Sequence, residues 1–280
     1  MESLSLINCV EKLVVVNHSA PEQLTGLQAR FPVQVIHQPN RGYGAGLNRG
    51  LQEVRDPNGL VLLCNPDIAI LNHEAIEDLW SYMNANQSVG LVIPALVDAQ
   101  MSPIFSCRKF YCLMSLLLVS NSWFRKLMPR ICRDHYTVPG VERRPLEVDW
   151  GSGAAVFVRG SAGNEGPLFD ERFFLYFEDV ELCARMWSEN RQVVYFPDLV
   201  CQHFESRLSH RDVRYFVIHV ASLLKFIIKY KELPQRAALR RLGRAAATRT
   251  EAPPDLQSRQ PENRLAENWV QIRRSRPIRG

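Results

Sequence analysis

Two short stretches combine acids with the turn residues that place side chains at the ends of elements. Between Phe169 and Glu181, the acids Asp170, Glu171, Glu178 and Asp179 lie among Phe173, Phe174, Tyr176 and Phe177. Glu178 and Asp179 immediately precede a helical pattern, so they can cap that helix. They can equally serve as a general base whose pKa the aromatic walls raise. Asn65-Pro66-Asp67 closes the apolar run Leu60–Cys64. All three residues are turn formers, yet a carboxylate at the carboxyl end of a buried strand also sits where open α/β sheets bind ligands. There it could hold a divalent cation against a diphosphate. The glycine-rich stretch Asn40–Gly50 can bring backbone and a helix N-terminus close to phosphate or simply turn the chain. His203 follows another apolar segment and is open to two roles, hydrogen-bonded structural histidine or ligand.

Strands are predicted at Leu13–Val16, Pro32–His37, Leu60–Cys64 (buried on both faces), Gly90–Pro94, around Trp150–Gly153, and at Val193–Phe196 closing at Pro197. Helices are predicted over 47–54, over 74–84 with Asn72 as N-cap, over 110–131, over 178–190 and over 214–230. The alternation predicts an α/β fold with a mainly parallel sheet.

Composition narrows the classes. Eleven arginines against four acids between Gln235 and Gly280 leave the first 234 residues at −2 out of the chain's +5. The body therefore carries no basic face for nucleic acid. The chain is expected to divide at residue 234, with 235–280 an Arg-rich disordered tail. That tail by itself would suit an electrostatic binding module. Seven scattered cysteines with no C-x-x-C pair argue against a disulfide framework and for a cytoplasmic setting. Cys112–Val119 is too short to span a bilayer. The stripes at 110–131 and 214–230 suit the inner face of a membrane, core packing or a homo-oligomer.

In chain order the motifs resemble family 2 glycosyltransferases, bacterial rhamnosyltransferases especially. The resemblance rests on Val14–Asn17, Asn40–Asn48, Leu63–Asp67, Trp150–Ala154, Phe169–Glu171, Phe173–Phe174, Glu178–Arg185 and His203, and runs from about Leu13 to Tyr230. It implies a GT-A fold and an inverting transfer of a sugar, a deoxyhexose such as rhamnose, from a dTDP- or UDP-sugar to a glycan or lipid-linked acceptor. By the same resemblance Asp179, with Glu178 alongside, is the general base. Asp67 and His203 contact Mg²⁺ or Mn²⁺. Asn17, Asn40, Arg41, Gly42, Gly44, Ala45, Asn48, Asn65 and Asp67 border the donor. Trp150, Gly151, Gly153, Asp170 and Glu171 border the sugar and acceptor.

Two departures are visible. The family opens with a strand and a Tyr-Asn turn, whereas Met1–Cys9 resembles only the end of the following helix, and Asn17 stands where the family has a base-reading aspartate. The missing strand motivates the alternative of a nucleotide-sugar-binding paralogue without turnover.

Overall fold

The computed structural model describes residues 10–19, 31–54, 56–111, 144–164, 166–204, 213–231 and 235–240. Met1–Cys9, nearly all of the 110–131 helix and the tail beyond residue 240 lie outside them.

The chain builds β1 (Leu13–Asn17), β2 (Val33–His37), α1 (Tyr43–Leu51), β3 (Leu60–Cys64), β4 (Ile68–Ile70), α2 (Ala75–Ala85), β5 (Val89–Val97), β6 (Pro103–Ile104) and β7 (Cys107–Arg108). It continues with β8 (Leu146–Glu147), β9 (Trp150–Gly151), β10 (Ala155–Arg159), α3 (Glu178–Ser188), β11 (Gln192–His203) and α4 (Val213–Tyr230). Seven strands form the main sheet, in the order β3-β10-β5-β11-β4, with β6 on β5 and β8 on β11. β5 is its axis. Its sequence VGLVIPALV is buried at every position, as expected of a strand covered on both faces. Tyr195, Phe169, Phe173 and Trp187 fill the surrounding core.

The sheet is mixed, not mainly parallel. β5 and β11 run parallel, as do β1 and β2 in a separate ribbon, but β10 enters antiparallel between β3 and β5. A strand arriving from the second half of the chain displaces the parallel neighbour that simple βαβ alternation implies. β3, expected to be buried on both faces, has β10 as its one strand neighbour among the described residues and is mostly half-buried.

Four local expectations also shift. β11 does not close at Pro197 but continues to His203, with its register slipping between Phe196 and Val200. Proline has no N–H for the ladder, so the slip accommodates it. Asn72 is drawn into that slip and not onto the α2 cap. Its amide donates to the Asp198 carbonyl, and its oxygen accepts from Val200 N at 2.7 Å. Helix α1 starts at Tyr43, inside the glycine stretch. The expected tail boundary falls just before a packed segment: residues 236–240 are helical, and Leu239 is buried.

Candidate functional site

Four chain segments meet where β3, β11 and α3 end or begin. Asn65 N donates to Ala154 O at 2.9 Å, tying the end of β3 to the turn before β10. The β4–β11 ladder pairs Ile68 with His203 and so brings His203 alongside Asp67. The His203 Nε2–Asp67 Oδ1 distance is 3.3 Å, and Asn65 Nδ2 lies 3.5 Å from His203 Nε2. Phe204 N donates to Asp67 O at 3.0 Å, holding the turn against the end of β11.

The acid pair at the start of α3 faces the same region. Gly153 N donates to Asp179 Oδ2 at 3.0 Å, and Val180 N to Asp179 Oδ1 at 2.8 Å. A Cβ at Gly153 would lie 3.2 Å from the Asp179 Cβ, so glycine permits this approach. Tyr43 reaches across from α1 and donates its hydroxyl to Gly153 O at 2.7 Å. Burial lifts the Tyr43 phenol well above its ordinary pKa, and the charges of Cys64, Glu178, Asp179 and Asp67 add to the rise. The β3 turn and the acid pair therefore share one electrostatic neighbourhood.

Burial also raises both carboxyls of that pair. For Glu178 the neighbouring Asp179 charge adds to the effect. For Asp179 the N–H groups of Gly153 and Val180 offset part of it. Acids at a helix N-terminus are ordinarily stabilised as anions; here desolvation outweighs the dipole. Glu178 Oε2 is buried without a hydrogen bond, so capping leaves half of that carboxyl unsatisfied. The pair is aimed by Tyr176 and Phe177, both at φ 65. Two consecutive non-glycine residues in the left-handed region store backbone strain, a feature that clusters at functional sites. The Phe177 ring is gripped by Tyr111 at 5.4 Å, His219 at 5.3 Å and Phe226 at 5.5 Å.

The other sequence-expected residues divide. Gly42 (φ 113) lies so close to Phe174 that a Cβ would come within 2.5 Å of its carbonyl oxygen, and Asn40 Oδ1 accepts from Gly42 N at 3.0 Å. Gly44 and Ala45 are buried in α1, and Arg41 is exposed. Asn17 shapes the turn after β1, accepting from Ser19 N at 2.9 Å, with its amide nitrogen 3.2 Å from His37 Nδ1. Asn48 is committed elsewhere. It donates to Phe169 O at 2.9 Å and accepts from Phe169 N at 2.8 Å, and its amide also meets Glu171 Oε1 at 3.0 Å. Asp170 pairs with Arg172 and Lys229. Asn48, Asp170 and Glu171 therefore brace α1 and α4 and do not join the acid pair. Trp150 is buried and gives its indole N–H to Lys109 O at 2.9 Å. Gly151 backs onto Ile93, where a Cβ would come within 2.5 Å. Trp150 and Gly151, in β9, thus pack into the core just before Gly153.

Sequence reasoning missed Tyr43 and His219. Tyr43 was legible as a lone aromatic inside the glycine stretch, whereas nothing local marks His219, which α4 delivers from forty residues beyond Asp179.

A divalent cation fits the Asp67 corner. Asp67 Oδ1 is buried without a hydrogen bond and lies 3.3 Å from His203 Nε2, an anionic oxygen and an imidazole nitrogen that a cation would satisfy together. Among the described residues no three His, Cys, Asp or Glu converge. The described residues thus bring few donors to this corner, as suits a cation shared with substrate phosphates.

Residues 1–130 match a family described as a MobA-like NTP transferase domain. The chain is 26% identical over 191 residues to the low-salt glycan biosynthesis hexosyltransferase Agl10 of Haloferax volcanii, covering 66% of this chain and 56% of that protein. It is 28% identical over 186 residues to the N-acetylglucosaminyl-diphospho-decaprenol L-rhamnosyltransferase of Mycobacterium tuberculosis, covering 62% and 59% respectively. The chain thus spans somewhat over half the length of these curated relatives. Its fold is similar to that of GalNAc-T7 crystallised with UDP, GalNAc and Mn²⁺, at a TM-score of 0.53 and 12% identity over 77% of this chain and 41% of that one.

Proposed function

We propose a reaction for a chain whose relatives and GT-A fold mark it as a family 2-like glycosyltransferase: the inverting transfer of a hexosyl group, a deoxyhexose such as rhamnose, from a dTDP- or UDP-sugar to the hydroxyl of a glycan or lipid-linked acceptor. The observation that carries it is the meeting of Asp179 with the Asp67–His203 corner across Gly153 and Tyr43.

Asp179, fixed by two backbone N–H groups, takes the proton of the acceptor hydroxyl. Its raised pKa brings its basicity closer to neutral pH than an exposed aspartate's. The acceptor oxygen forms a bond to the anomeric carbon as the bond from that carbon to the diphosphate oxygen breaks, and the electron pair leaves with the nucleoside diphosphate. Direct displacement inverts the centre. Glu178, buried beside the base, has its own carboxyl raised by that burial and by the Asp179 charge, so the pair resists carrying two negative charges at once. Asp67 and His203, with Asn65 beside them, would hold Mg²⁺ or Mn²⁺, which would neutralise charge on the departing diphosphate. Asn17, Asn40, Arg41 and the Gly42–Ala45 backbone would border the nucleotide, and Gly153 the sugar.

The test is a screen of dTDP-, UDP- and GDP-sugars with the purified chain, with and without Mn²⁺, reading nucleoside diphosphate release and the anomeric configuration of the product. Metal-dependent release with inversion is expected. Donor binding without release under every condition would favour the binding paralogue, and a retained configuration would refute direct displacement.

A further inference from the structure

Helix α4 has two unlike faces. Inward, the His219 ring lies 5.2 Å from that of Tyr176, and Ser222 donates its hydroxyl to Leu175 O at 2.8 Å. Phe226 packs on Phe177, and Lys229 bonds Asp170 and Glu181 at 2.8 and 2.6 Å. The helix is thus pinned to the turn that aims the acid pair. Outward, Val213, Phe216, Val217, Val220, Leu224 and Ile228 recur at helical spacing and stand exposed, Phe216 at 67% and Ile228 at 76%. A contiguous apolar stripe of this kind is rarely left in water without a role.

Charge identifies the occupant. α4 contains no acid, and its charged residues are Arg214, Lys225 and Lys229. At 100° per residue, Arg214 and Lys225 fall three turns apart along one edge of the stripe. Lys225 Nζ rests on the Arg172 carbonyl at 2.7 Å, a neutral acceptor that leaves its positive charge intact. An apolar face edged by cations matches an anionic lipid surface, where the stripe enters the acyl boundary and the cations meet headgroups. A second copy docked stripe to stripe would bring cationic edges together with no acid on either helix to answer them.

We infer that α4 docks this chain on an anionic bilayer through Val213, Phe216, Val217, Val220, Leu224 and Ile228. The bilayer then lies one helix diameter, about 10 Å, from the turn carrying Glu178 and Asp179. The purpose of this placement rests on the lipid-linked acceptor proposed above; the binding itself does not.

The test is flotation of the full chain with phosphatidylcholine vesicles made with and without phosphatidylglycerol. The chain should float with the anionic vesicles, and more weakly as salt is raised. F216S/L224S should lower the partition coefficient about a hundredfold, roughly tenfold for each apolar side chain withdrawn. Both positions are exposed, so the melting temperature and transfer to a soluble acceptor should be retained. Failure to float with anionic vesicles overturns the inference. So does flotation untouched by F216S/L224S, which would assign binding to other residues. A vesicle-independent dimer dissolved by the same substitutions would assign the face to a second copy. If no sugar is transferred while vesicle binding behaves as described, the reaction is wrong and the docking surface stands.

Discussion

Ending the chain at residue 234 should cost far more than ending it at residue 247, although both remove most of the arginine-rich end. Residues 236–240 lie against the body through three kinds of contact. Leu239 is 3% exposed, and burying a leucine contributes about 2 kcal/mol. Arg240 and Arg236 sit 4.5 and 5.4 Å from the centroid of the Trp187 ring, together worth about 1 kcal/mol. Arg240 pairs with Glu147 at 2.5 Å and Arg236 with Asp149 at 3.1 Å. These pairs are partly solvated and add about 0.5 kcal/mol each at most. The total is about 3–4 kcal/mol, which for a domain of this size lowers Tm by about 10 °C. The loss should reach the site as well. Trp187 holds the Asp149 carbonyl at 3.0 Å, Asp149 holds Phe110 N at 2.9 Å, and Trp150 follows directly. Calorimetric melts of the two truncations and of Leu239→Ala provide the assay. The chain ending at 247 should melt with the whole chain, and Leu239→Ala in the whole chain should lose about half as much stability as ending it at 234. Equal melting of the two truncations would refute the reasoning and make these contacts energetically empty.

Three further outcomes follow from the site. Asp179→Asn should lower kcat about 10²- to 10⁴-fold while leaving donor affinity nearly unchanged, because a base acts in the transition state; near-normal turnover would assign the base elsewhere. Asp67→Ala should abolish Mn²⁺-dependent donor binding measured by titration calorimetry, and an unchanged isotherm would reduce Asn65-Pro66-Asp67 to a turn. Glu178→Gln should flatten the dependence of stability on pH. The folded pKa of Glu178 lies at about 8, above its ordinary value. The fold therefore binds the proton more tightly than the unfolded chain does. That stability is fully present below about pH 4 and is lost as pH rises towards 8. The variant should gain on the parent between pH 5 and pH 8.5, by an amount on the order of a few kcal/mol, and a pH-independent difference in Tm would contradict this.

What the sequence determined by itself was local in origin. Turn residues closing an apolar run placed Asn65-Pro66-Asp67 at a strand end, and helical periodicity put Glu178–Asp179 at the start of α3 and bounded α4 to within a residue. Such signals survive because they depend on neighbours a few positions away. The GT-A fold was legible through the resemblance of the motifs, in their order, to family 2 glycosyltransferases. Tertiary structure decided everything that depends on which distant segment arrives alongside. The insertion of β10, with the antiparallel pairing of β4, β6 and β8, made the sheet mixed, and among the described residues β10 is the one strand neighbour of β3. Asn72 could not be seen as the plug of a slip 126 residues away, nor Asn48 as a clamp on Phe169. The acid pair shows the physical reason most directly. In the sequence it was open to both roles, with capping the commoner one for acids at a helix start, since each role needs a carboxylate there. What separates them is how much water the folded chain removes and which donors it returns, and that is set by Gly153, Tyr43 and the aromatic cage around Phe177, none of them within twenty residues of Asp179 except Phe177 itself.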